Sequence, residues 1–270
     1  MDGGGILLVP ESESDKQFRR RLTRRATVRP ASVFVPRHPD ETPEHHFPLQ
    51  TVLARAEQPR FVNRYDSREI LIVVDGSCLN NGRKNDVARG GCSFKYKGAG
   101  GRGADGAPFA FRGGQHGPDG TVGFGLERIG PGGEPSEPTS NRAKLRAAIA
   151  ALEFREWHGE GWRRVVLATD LEYVVLGATR WLPRWVRRRW RTQRTRRKVA
   201  NRDLWEELYG IIESLRARGT EVSFWLIPPG SAVKRDSALV RDTKRAARDA
   251  AVQHSDSVAA EFTRLCGVMV

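Results

Sequence analysis

Cysteine is scarce in this chain. Its 270 residues include three, Cys78, Cys92 and Cys266, in no metal-ligand spacing. That pattern supplies neither a disulfide framework nor a zinc cluster, and free thiols in a reducing, intracellular setting (nucleus or cytoplasm) are expected. The six histidines show no ligand spacing either. Long apolar runs are missing. The longest are strand-sized, far below the ~20 residues of a membrane helix, so no membrane partner is expected. The first ten residues hold an early Asp and a glycine run rather than a sustained apolar stretch, so no secretory leader is expected. Acid is short relative to base: 32 Asp and Glu stand against 46 Lys and Arg, a net charge of +14.

The positive charge is concentrated. Arg180 to Lys198 carries nine Arg, one Lys and no acid, interleaved with Trp181, Trp185 and Trp190. Cations for phosphates beside rings for sugar or base faces read as a nucleic-acid surface. The alternatives are a solvated basic helix or a localisation signal.

Two apolar, β-branched runs end on an acid. Ile70-Leu-Ile-Val-Val74 leads into Asp75, and Val165-Val-Leu-Ala-Thr169 into Asp170. Each reads as a buried strand. The helical stretch between them, Thr139 to His158, is long enough for a crossover, which makes the strands parallel neighbours with both acids at their C-terminal ends. Two carboxylates converging there could hold a hard divalent ion such as Mg²⁺ or Mn²⁺. Equally, each Asp could simply cap the turn after its strand.

The order along the chain is β-β-β-α-β-α-(basic)-α-β-α. Residues 1–60 have little periodicity and are expected to be a mostly disordered, low-complexity extension, with a short ordered piece near Pro48 to Val62. The main domain is expected over residues 61–256, with strands at Ile70–Asp75, Ala88–Lys97 and Thr121–Ile129. A Gly-rich insertion at 98–120 reads as a mobile hairpin connection and a basic protrusion occupies 180–200. Thr139-Ser140-Asn141 is an N-cap cluster ahead of the Leu145, Ala148, Ile149, Leu152 stripe. A second amphipathic helix spans Asp203 to Leu215, a strand Glu221 to Ile227, and an Ala-rich helix Ser237 to Val252. Residues 257–270 are expected as a C-terminal tail that continues this helix or frays.

Four segments in this order resemble the type-1 ribonuclease H domain, especially its fungal form. They are Asp75-Gly-Ser-Cys-Leu-Asn-Asn-Gly82, Thr139-Ser-Asn-Arg-Ala-Lys-Leu-Arg-Ala147, Ala168-Thr-Asp-Leu-Glu-Tyr-Val-Val175 and Asn201-Arg-Asp-Leu-Trp205. The resemblance covers about Ile70 to Ala251. It implies an α/β, ribonuclease H-like fold: a mixed five-stranded sheet, with a three-strand antiparallel meander plus two parallel strands, and flanking helices. It also implies hydrolysis of the RNA strand of an RNA–DNA hybrid by two divalent ions, Mg²⁺ or Mn²⁺, held on four carboxylates. By that resemblance Asp75 is the first carboxylate and Asp170 the third. Asp242 is the fourth, with Asp236 as the alternative. Asn80 and Asn141 fall where the family touches the hybrid. Trp185, Arg187, Arg188, Arg189, Trp190 and Arg191 fall in the protrusion.

The chain departs from the family pattern at the second carboxylate. Lys144 stands where the motif has Glu, and Leu171 where Ser is usual. An ammonium between Asp75 and Asp170 is expected to pair with both and to repel a metal ion. Glu137 and Glu172 are the carboxylates available to compensate. Three readings follow: an active ribonuclease H, a family member that binds hybrid or duplex without cutting it, and a protein-interaction module on the same scaffold.

Overall fold

A computed structural model of the chain describes residues 5–9, 28–51, 59–82, 86–99, 109–253 and 261–268. In chain order its strands are β1 (Gly5–Val9), β2 (Ser32–Val33), β3 (Leu49–Gln50), β4 (Arg60–Asn63), β5 (Asp66–Leu79), β6 (Arg89–Lys95), β7 (Phe109–Phe111), β8 (Gly114–His116), β9 (Thr121–Gly125), β10 (Arg164–Thr169), β11 (Glu221–Leu226) and β12 (Arg264–Val268). The helices are α1 (Pro43–His46), α2 (Ser140–Glu153), α3 (Glu172–Leu176), α4 (Leu182–Arg187), α5 (Arg202–Ala217), α6 (Ala232–Asp236) and α7 (Ala238–Gln253), with one π turn at Gly177–Trp181 between α3 and α4.

The apolar run in β5 does not alternate because helices cover both of its faces. Ile70, Ile72 and Val74 enter the larger core with α2, α3 and α5. Leu71 and Val73 enter a second core with Leu239 and Val240 of α7. Strand β5 is the centre of the expected five strands, in the order β11-β10-β5-β6-β9, with β10 and β11 parallel to it, β6 antiparallel to it and β9 antiparallel to β6. The expected meander and parallel pair are therefore present. The sheet is larger than five strands: β2 extends it past β11, β8 and β7 past β9, and β4 pairs with the first half of β5.

Helix α2 begins where its sequence caps it. The Thr139 side chain accepts the Arg142 backbone N–H at 3.1 Å. Ala and Leu then fill its buried face, so the helix lies close on the sheet.

Two expectations about the periphery are corrected. Residues 28–51 are not a disordered extension: Val28 and Ala31 join the larger core and Phe47 is fully buried in the second. The reason is aromatic packing and capping. Phe34, His46, Phe47 and Trp225 cluster with centroids 5.1–6.1 Å apart, and Glu44 accepts the Ala238 N–H and the Ser237 hydroxyl, both at 2.6 Å, at the start of α7. The C-terminal segment neither continues α7 nor frays through residues 261–268. Its strand β12 pairs antiparallel with β1, and Phe262 and Leu265 are buried. Within the Gly-rich insertion, residues 109–116 form the β7–β8 hairpin; positions 100–108 lie outside the described residues.

Candidate active site

Strand register brings the two aspartates together. In the parallel β5–β10 pair, Ile72 faces Leu167 and Val73 faces Ala168. Two residues further along the same register, Asp75 stands beside Asp170. Gly76 then allows helix α2 to sit on the strand end. A Cβ at Gly76 would lie 2.4 Å from the Ala143 carbonyl carbon and the Lys144 nitrogen, closer than any side chain tolerates. That approach aims Lys144 back at the acids.

The Lys144 ammonium lies 2.6 Å from Asp75 Oδ1 and also donates to Asp170 Oδ1. The second oxygen of Asp170, Oδ2, accepts from the ammonium of Lys234, on the short helix α6. Asp75 Oδ1 further accepts the Gly76 N–H at 2.7 Å. Two carboxylates thus meet two ammonium groups in a mostly buried cluster. Burial pushes the Asp75 carboxyl up, and Lys144 offsets only part of that. Burial acts against ionised Asp170 as well, but Lys144 and Lys234 outweigh it and hold that carboxyl below its usual range. For Lys144 itself, burial disfavours the charge, yet the two carboxylates prevail and its pKa is raised.

The surrounding motif residues brace this arrangement. Arg142, next but one to Lys144, makes a two-pronged bond to Asp203, at 3.0 and 2.6 Å, tying the start of α2 to the start of α5. Asn201, in a left-handed conformation, accepts from Arg142 at 3.4 Å. The Tyr173 hydroxyl donates to the Ala200 carbonyl at 2.9 Å and accepts the Trp205 indole N–H at 2.8 Å.

The family model described as RNase H matches residues 67–221, more than half of the chain. The chain belongs to the ribonuclease H family. Ribonuclease H of Pseudomonas paraeruginosa is 34% identical over 143 residues, 53% of this chain and 72% of that protein. Those of Cyanothece sp. and Halorhodospira halophila are 47% and 52% identical over 77 residues, 28% of this chain; the chain spans about half the length of those two relatives. Among solved structures, LC9-RNase H1, a type 1 RNase H with the type 2 active-site motif, matches with 23% identity and a TM-score of 0.42, over 73% of this chain and 77% of that one.

Ribonuclease H proteins generally use divalent metal ions, and the donor set here does not fit them. Both ammonium groups bond to the oxygens an ion would need. No group of three or more His, Cys, Asp or Glu residues able to hold a metal occurs among the described residues. Asp242, expected as the fourth carboxylate, is drawn elsewhere: it lies 3.9 Å from Lys95 and 3.4 Å from Arg245. The alternative, Asp236, is exposed at the end of α6. Neither completes a ligand set with Asp75 and Asp170. Glu137 and Glu172 are exposed, and Leu171 packs against the larger core.

The nucleic-acid candidates divide. Arg187, Arg188, Arg189 and Arg191 are exposed, as expected. Asn141 is exposed on the first turn of α2, and Asn80 turns the chain after β5 in a left-handed conformation with its amide on the Val87 carbonyl at 3.4 Å. Trp190 is a correction. It is 5% exposed and belongs to the larger core, with the Arg202 guanidinium 5.4 Å from its ring. Trp185 is partly buried against Trp205, centroids 5.2 Å apart. A buried ring cannot stack on bases, so Trp190 anchors the basic segment while its arginines face outward.

Lys234 escaped the sequence reading. A single Lys four residues beyond Gly230 has no distinguishing pattern. Its role appears only once Asp170 is in place.

Proposed function

We propose that this ribonuclease H family protein binds RNA–DNA hybrids and that Lys144 suppresses hydrolysis of the RNA strand. The observation that carries this reading is the Lys144 ammonium held between Asp75 and Asp170. A buried ammonium that already satisfies both acids must be displaced, at the cost of an unpaired buried charge, before a cation can take its place. The family fold supports recognition of hybrid shape and 2′-hydroxyls rather than sequence. The exposed Arg187–Arg191 face supports phosphate contact. The three free thiols support a reducing compartment, nucleus or cytoplasm.

A second reading is favoured by the register that sets Asp75 beside Asp170. In it the chain hydrolyses the RNA strand with Mg²⁺ or Mn²⁺, as the relatives' name, ribonuclease H, denotes.

Cleavage of a labelled RNA–DNA hybrid with Mg²⁺ and with Mn²⁺ separates the two, with Asp75→Asn as the control. Hybrid binding without cleavage is the expected result. Cleavage that disappears in the control would establish the hydrolase reading instead.

A further inference from the structure

Helix α7 carries a second band of positive charge, outside the site. Its buried side is Leu239, Val240, Thr243, Ala247, Ala250 and Ala251. At about 100° per residue, Arg241, Lys244, Arg245 and Arg248 fall together in an arc of about 100° beside it, and all four are exposed. The acids of the helix, Asp242 and Asp249, fall together on one flank rather than among the cations. Asp242 lies 3.4 Å from Arg245 and 3.9 Å from Lys95 on β6. Arg241 bonds to the Arg235 carbonyl, so the band continues toward α6 and Lys234. Lys244 and Arg248 make no ion pair with another described residue.

The band lies across the sheet from the Arg180–Lys198 block. Leu239 and Val240 of α7 pack on Leu71 and Val73, whereas Leu182 and Trp190 of the block enter the core on the side of Ile70, Ile72 and Val74. From Arg241 to Arg248 the helix advances about 10 Å. A duplex carries one charge per ~1.7 Å of its axis, so several phosphates face such a band at once. Four long cations within about two helical turns complement a repeating phosphate, and of the helix's acids Asp242 pairs with Arg245 at the edge of the band.

We propose that Arg241, Lys244, Arg245 and Arg248 form a second contact surface for nucleic-acid phosphates, on the opposite side of the sheet from the Arg180–Lys198 block. This rests on the hybrid-binding reading. The test compares the full-length protein with a variant carrying Arg241→Gln, Lys244→Gln, Arg245→Gln and Arg248→Gln. A parallel variant carries Arg187→Gln, Arg188→Gln, Arg189→Gln and Arg191→Gln. Binding of a long RNA–DNA hybrid is measured against salt, with circular dichroism and melting confirming that each variant folds. The α7 variant is expected to bind more weakly at low salt, with a log–log salt slope shallower by about 3 to 4, near 0.9 per lost phosphate contact. The parallel variant should retain the α7 contribution. If wild type binds hybrid and the α7 variant matches it in affinity and slope, the band is a solvated face and the proposal falls while hybrid binding stands. If the α7 variant instead loses only binding to poly-glutamate, the surface serves an acidic protein partner and the proposal also falls. If wild type binds no hybrid at any salt, both readings fall.

Discussion

The Lys144 ammonium stands 2.6 Å from the Asp75 carboxylate and bonds to Asp170 at the same time. One lysine thus bridges the ends of two parallel strands. It does so because Gly76 lets helix α2 touch the strand that carries Asp75. The bridge is both a structural tie and an obstacle to cation binding, and the two roles can be tested separately.

Lys144→Glu reverses the obstacle. It restores a carboxylate at the position the family pattern requires, and Lys234→Gln in addition frees the second oxygen of Asp170. The expected outcome is Mg²⁺-dependent cleavage of the RNA strand, created or raised in the single variant and raised further in the double. Gel analysis of an end-labelled hybrid reads this directly. No gain in either variant would sink the account of Lys144 as the block.

Lys144→Met keeps the length of the side chain and removes its charge. Two buried carboxylates then lose a shared partner, and breaking buried pairs in this way costs about 3–5 kcal/mol. The pH dependence carries the sign. Asp170, with its lowered pKa, contributes stability above its unfolded value of about 3.9 that is lost as pH falls through the folded value. Lys144, with its raised pKa, contributes stability below about 10.4 that is lost as pH rises through its folded value. The gap in stability between wild type and Lys144→Met is therefore widest between these limits. Denaturant titrations at acid, neutral and alkaline pH measure it, and a gap independent of pH would contradict the bridge.

Trp190→Ala is expected to act on folding. The indole is 5% exposed in the core, and truncating a buried aromatic costs about 3–5 kcal/mol. A lowered melting temperature is the expected readout. A variant as stable as wild type but weaker on hybrid would place the ring back at the surface.

His116 gives a pH signature away from the site. Burial, aided by Lys97, pushes its pKa down to about 4, while its ring stacks on Tyr96 with centroids 5.9 Å apart. The unfolded chain binds the proton more readily, so the stability that neutral His116 contributes is complete above about 6.5 and declines as pH falls toward 4. His116→Phe should flatten that decline relative to wild type. Paired thermal melts across this range test it, and parallel curves would count against a buried neutral imidazole.

Much of this was legible in the sequence because it depends on local pattern. The β-branched runs ending at Asp75 and Asp170 predict neighbouring parallel strands, and the register agrees. The Thr139 cap fixes the start of α2. Lys144 in the motif predicts an ammonium facing two acids, and the structure has that contact. Other parts were not legible because they depend on distant partners. Phe47 looks like a tail residue until Trp225 and Phe34 surround it. Trp190 looks like a stacking platform until the larger core encloses it. Asp242 has a suitable place in the sequence, yet Lys95 and Arg245 take it up.

The family, the order of the central strands and the reversal of charge at position 144 are carried by residue identity and short-range periodicity. Folding then brings Lys234 into the cluster, packs residues 28–51 and 261–268 with the domain, and sets the cations of α7 across the sheet from those after α4. Each of these depends on side chains far apart in the chain meeting across the sheet, and no local pattern encodes such a meeting.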